Sequence, residues 1–177
     1  MNYKIIINSL ILVLLADFAS GQVSMGGKQS VEGTATILDF NSQTGNIKGI
    51  ILPAVDDIFK ALSSDPASNN GTFLFNKSNQ KVQVYENNVW KDLSDAGSSS
   101  NLVINTSDEK SGGVVIGASS SPAKGVLILE SSDKAMILPR ISEPHKNVKS
   151  PYPGMMCFDT VSRTLAVFDG AKWNYWN

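Results

Sequence analysis

The side chains able to do covalent chemistry are few. His145 is the one histidine and Cys157 the one cysteine among 177 residues. A nucleophilic triad needs a base beside its nucleophile, and His145, between Pro144 and Lys146 in a polar stretch, reads as a solvated loop residue. Cys157 lies in the apolar run Met155-Met156-Cys157-Phe158 and reads as a buried, inert thiol. One His and one Cys do not make a zinc site of the usual ligand types, so no metal and no cofactor is expected. Asp56-Asp57, Glu143, Asp159 and Asp169 are the carboxylates from which a glycoside hydrolase would have to draw its acid and base. Each stands where a turn or a helix cap calls for one. Glycoside hydrolysis is therefore kept as a remote alternative, and no residue is assigned as catalytic. The loop 159–162 has oxygen ligands suited to calcium but lacks EF-hand spacing.

Aromatic residues carry more weight. Trp90 and Trp173 occupy one position of an internal repeat, and Tyr175 with Trp176 adds a pair at the end of the chain. If exposed, such rings stack on sugars; if inward, they close small cores. Strand alternation puts Trp173 and Tyr175 on one face and Trp176 on the other, which makes Trp176 the exposed member. A glycan-binding module using Trp176, Tyr175 and Trp90 is thus the main competing reading, with a cell-surface polysaccharide as partner. Asn70, Asn76 and Asn105 fit the N-glycosylation pattern but read as turn residues.

These residues are positioned by a duplicated unit. Residues 71–91 align without a gap on 154–174, an offset of 83, with Gly71/Gly154, Phe75/Phe158, Val84/Val167 and Trp90/Trp173 identical. Upstream, Ile51-Leu52-Pro53 answers Ile137-Leu138-Pro139. Further back, Val23-Ser24-Met25-Gly26 answers Val114-Val115-Ile116-Gly117, and Ile37-Leu38-Asp39 answers Ile128-Leu129-Glu130. Each copy reads as a three-stranded meander: strands over 72–75, 82–86 and 89–93 around the turn Asn87-Asn88, and over 155–158, 165–169 and 172–176 around Asp169-Gly170. In the first copy Val82 and Val84 are expected on a buried face, Gln83 and Tyr85 on a wet one. Helical turns are expected over 56–62 and from Glu143-Pro144 onward, and further strands over 102–105 and 114–116. The expected fold class is mostly β: two tandem β-meander modules with one short helical turn each, over 22–93 and 102–177, joined by a Ser/Gly-rich connector at 94–101.

Lys4, the apolar run 5–15 and Ala19-Ser20-Gly21 read as a signal peptide over 1–21, cleaved before Gln22. The apolar run is too short to span a bilayer. The expectation is export through the inner membrane to the surface, the medium or the periplasm, with no membrane span after cleavage. Ser, Asn and Gly supply 47 of residues 22–177, a turn-rich composition that fits short strands. With a net charge of −1 and no like-charge run longer than Asp56-Asp57, nucleic acid is not an expected partner. Two units of this size without a disulfide sit near the limit of what one small core can hold. That argues for packing between units or self-association.

The blocks Gln22-Val23-Ser24-Met25-Gly26, Gly49-Ile50-Ile51-Leu52-Pro53 and Ala135-Met136-Ile137-Leu138-Pro139-Arg140, with the meander after Gly154, resemble short secreted and cell-surface proteins of the Bacteroidota. Related Val-x-Ile-Gly and Leu-Asp stretches occur in tail-fibre-like and trimeric adhesin-like proteins. The resemblance implies a non-catalytic structural or adhesive surface role and self-association, a trimer being the hypothesis, and brings no site residues. Asp159-Thr160-Val161 is also similar to the Bacteroidota O-glycosylation acceptor, which makes Thr160 a candidate for modification. Ala54 stands where the second copy has Arg140, so any contact made by that Arg belongs to one copy.

Overall fold

The computed structural model describes residues 21–103, 107 and 112–177; the expected signal peptide and Asn105 lie outside them, except for Gly21. Among the described residues there are fourteen short strands: β1 (Val23–Met25), β2 (Thr36–Phe40), β3 (Ile50–Ile51), β4 (Ala54–Val55), β5 (Thr72–Asn76), β6 (Lys81–Glu86), β7 (Val89–Asp92), β8 (Val114–Ile116), β9 (Leu127–Leu129), β10 (Ala135–Met136), β11 (Arg140–Ile141), β12 (Met155–Asp159), β13 (Thr164–Phe168) and β14 (Trp173–Trp176). They form four small sheets, ordered β1-β2-β10, β4-β5-β6-β7, β11-β12-β13-β14 with β3 also on β12, and β8-β9. The chain is mostly β.

The two meanders superimpose in hydrogen bonding as they do in sequence. Phe75 pairs with Val82 and Tyr85 with Trp90; 83 residues on, Phe158 pairs with Leu165 and Phe168 with Trp173. Gly71 and Gly154 open the meanders at φ of 88° and 82°, each amide donating 2.8 Å to the carbonyl of Tyr85 or Phe168. Only glycine enters this backbone region without steric cost. The Leu-Pro blocks are equivalent too: the Phe75 amide donates to Pro53 O and the Phe158 amide to Pro139 O, both at 2.9 Å. This places β4 parallel to β5 and β11 parallel to β12. Asn87 and Asn88, at φ of 51° and 63°, form the two-residue turn whose twist matches the flanking strands.

Some local expectations are corrected. Residues 56–62 form successive turns, Lys60 to Asp57 and Leu62 to Phe59, with Phe59 exposed; the helical turn of this copy is the 3-10 segment Pro66–Ser68, capped by Asp65. Phe59 faces solvent and Val55, Ile58 and Leu62 are only half-buried, and apolar spacing without full burial does not stabilise a helix. The helix Pro144–Asn147 begins at Glu143 as expected. Residues 102 and 103 carry no strand, and 104–105 lie outside the described residues. The wet face of β6 is covered: Gln83 and Tyr85 are buried, Gln83 bonded to Asn76 and Asp92 and Tyr85 capped edge-on by Trp90 at 5.2 Å.

The apolar interior crosses the repeat boundary. Leu52, Phe75, Val82 and Leu93 of the first copy pack with Met156 and Val167 of the second. A smaller cluster of Ile141, Met155, Cys157, Ala166 and Phe168 lies within the second meander. Ile37, Leu38 and Ile116 form a third, joining β2 to β8. Strands cross as well. β3 pairs antiparallel with β12, while β10 pairs parallel with β2, so the segment preceding each Leu-Pro block serves the other copy. The Ser/Gly connector 94–101 runs between the meanders and is tied to both: the Gly97 amide donates to Gln80 O and the Ser98 amide to Asp169 O, both at 2.9 Å. Gly170, at φ 94°, leaves no room for a Cβ beside the Ser98 carbonyl. Gly170→Ala is expected to lower stability by about 2 kcal/mol or more, combining a positive-φ penalty with a backbone clash; urea unfolding of the purified protein measures it.

Candidate functional site

The sheet β8-β9 differs from its counterpart in the first copy. Val114, Val115 and Ile116 lie beside Leu127, Ile128 and Leu129 in parallel, six apolar residues with no polar alternation. Such continuous runs belong to parallel strands buried on both faces. In the first copy, Thr36, Ile37 and Leu38 of β2 are flanked by β1 and β10 and are 5%, 2% and 0% exposed. In the second, no described strand lies beyond β9, and Leu127 is 40%, Val114 61% and Val126 68% exposed. Ile116 alone of the six is fully covered, through Ile37 and Leu38. Glycines bracket β8: a Cβ at Gly113 would strike the Gly125 carbonyl, and one at Gly117 the Glu130 carbonyl.

An acid at the end of the Ile-Leu block organises the loop between the parallel strands in both copies. Glu130 accepts from Ser121 Oγ. Asp39, 1% exposed, accepts from Lys28 Nζ at 2.6 Å and from the Glu32 and Phe40 amides at 2.8 Å. Burial pushes its carboxyl up, but Lys28 and the two amides outweigh burial and hold it below the ordinary carboxylate range; the same bond raises Lys28. The Ile-Leu blocks recur, yet their registers differ: Val23 faces Leu38, whereas Val114 faces Leu127. The slip of two residues keeps each side chain on its face.

Trp90 packs on Tyr85 and Trp173 on Phe168, the latter at 5.4 Å, so the repeated tryptophans cap equivalent aromatic rings. Trp90 Nε1 is buried without a hydrogen-bond partner. Tyr175 and Trp176 are 39% and 47% exposed, but as consecutive strand residues they face opposite ways. Tyr175 bonds His145 Nδ1 at 2.9 Å, and Trp176 Nε1 donates to the Leu93 carbonyl. Trp176, Tyr175 and Trp90 thus do not share one face.

The remaining chemical candidates have structural partners. Asp56 pairs with Lys77 and Glu143 with Lys146. Asp169 is buried, accepting from the Ala171 and Lys172 amides and from Asn174. Asp159 is buried likewise, accepting from the Val161 and Glu143 amides and Ser162 Oγ, while Thr160 beside it is exposed. Burial and the charge of Asp159 push the Cys157 thiol up to about 12, which keeps it protonated and unreactive. Among the described residues no group of three or more His, Cys, Asp and Glu is placed to hold a metal. No helix among them is long and apolar enough to cross a membrane. A shallow groove of about 370 Å³ is lined by Gln22, Thr34, Ala35, Asp133 and Lys134 and brings no reactive pair together.

Residues 115–177 match the family model of a phage tail like trimerisation region. The match supports a relation to tail-fibre-like trimeric proteins. It begins inside β8 and runs through β14, so the open apolar sheet from Val115 onward and the whole second meander fall within it. The matched family is a structural region and not an enzyme family. No curated protein and no solved structure matches the chain. The repeat alignment marked 114–116 and 128–130 as blocks but not as an exposed surface; the unbroken apolar runs Val114-Val115-Ile116 and Val126-Leu127-Ile128-Leu129 were the available signal.

Asp39 and Asp159 both have carboxyl groups held below their ordinary range, the latter by amide and hydroxyl donors that outweigh burial. Their contribution to stability is complete above the unfolded value of about 4 and is lost as pH falls through the lower folded values. Urea midpoints are therefore expected to be insensitive to these groups between pH 5 and 7 and to fall below about pH 4. Asp39→Asn is expected to cost about 2 kcal/mol at pH 7 and to flatten part of that acid decline.

Proposed function

We propose that this chain is a non-catalytic, self-associating module of a fibre-like surface assembly, exported and built as a homotrimer. The observation that carries the reading is the match of residues 115–177 to a trimerisation region. The open sheet β8-β9 supports it physically, because a two-stranded sheet with exposed apolar residues is marginal in water by itself. An adhesive role follows from the same reading, with the second meander and the exposed Thr160 turned to the surroundings. Light scattering coupled to size exclusion on residues 22–177 is expected to return three times the chain mass at micromolar concentration; a monomer mass overturns the trimer.

A polysaccharide-binding role has one observation in its favour, the half-exposed rings of Tyr175 and Trp176. It predicts a change in tryptophan fluorescence on adding cell-surface polysaccharides, abolished by Trp176→Ala. No response across a broad glycan panel removes it.

A further inference from the structure

We infer that the outer edges of β8 and β9 are where copies of this chain join, β9 of one copy pairing in parallel with β8 of the next to close a six-stranded ring. The inference rests on the trimer reading and specifies its interface.

Three observations point to this edge. The first is the internal precedent: β2, the counterpart of β9, carries a third parallel strand, β10, on its far side, and the Ile137 amide extends that ladder to Leu38 O at 2.9 Å. The far side of β9 has no such strand among the described residues. The second is the direction of the backbone groups. Val114 N donates to Val126 O and Glu130 N to Ile116 O, so the inward-facing residues alternate along both strands. The N–H groups of Leu127 and Leu129 therefore point outward from β9, and those of Val115 outward from β8. The third is composition. The edge strand β7 is guarded: it carries Lys91 paired with Glu86 and Asp92 paired with Lys81, the charged pattern that prevents edge pairing. β8 and β9 carry no charge and no proline.

Symmetry then selects the occupant. The two open edges belong to different strands, so joining them is head-to-tail, and a head-to-tail contact closes only by rotation. Rotation about an axis along the strands keeps every pair parallel. Three copies supply six parallel strands, a ring continuous with the trimerisation match, which begins at Val115. Val114, Val126 and Leu127, exposed in the single chain, lie where neighbouring copies meet.

The test uses residues 22–177 and two measurements. Amide hydrogen exchange on the wild-type assembly is expected to show Leu127 and Leu129 protected at least tenfold over the same amides in a dissociated sample. Leu127→Pro removes an outward N–H while leaving the β8-β9 ladder intact, a placement edge strands accept. It is expected to give a folded monomer by light scattering, with far-UV circular dichroism unchanged. A wild-type trimer whose Leu127 and Leu129 amides exchange freely, or a Leu127→Pro protein that remains trimeric, overturns this interface and leaves the trimer standing. A wild-type monomer overturns both. Should Leu127→Pro fail to fold, the exchange of the wild-type amides decides.

Discussion

Everything in this structure depends on the contact between Phe75 and Val82 of one meander and Met156 and Val167 of the other. A three-stranded sheet of strands four to six residues long sits at the lower limit at which buried apolar surface offsets the entropy of ordering its chain. The chain meets this limit by facing two such sheets across one interior and sealing it with Leu52 and Leu93. The polar complement is equally shared, for Trp176 reaches the Leu93 carbonyl and Lys172 reaches Asp95. The latter pair is exposed and adds little, whereas the indole bond satisfies a carbonyl beside the core.

The same limit explains why β3 and β10 leave their own copies. β12 has one edge taken by β13; the other is filled end to end by β3 and β11, from different copies. β2 likewise gains its second neighbour from the far copy. Each exchanged strand is only two residues long, yet it extends a ladder and covers apolar residues that would otherwise face water. The β8-β9 sheet has no partner of this kind among the described residues, and its exposure is the counterpart of the burial seen around β2.

Much of the meander was legible in the sequence because its signals are local. The gapless alignment at offset 83 carried the strand registers, the Gly71 and Gly154 openings and the Tyr85-Trp90 and Phe168-Trp173 pairs. The alternation in β6 misled for Gln83 and Tyr85, since a polar or aromatic residue on the outer face is wet only if nothing covers it. Trp90 and the Gln83 network cover it. The helical spacing over 56–62 failed for the opposite reason, an apolar stripe that is only partly covered, with Phe59 left in solvent. Strand exchange was not legible at all. Ile50-Ile51 and Ala135-Met136 look alike in sequence, and which strand each joins is decided by the packing of distant residues.

The crossing of β3 and β10 also fixes an order of events. As the chain is made from its amino end, β2 has one edge unfilled until residue 136 is present, and β3 has no partner until β12 follows. Leu93 meets its indole donor only when Trp176 arrives. Contacts of such long separation are slow to form because loop closure precedes their reward. The first half therefore stays incomplete until the second is made, and a chain with this wiring passes as an unfinished polymer through any stage that precedes its last strand.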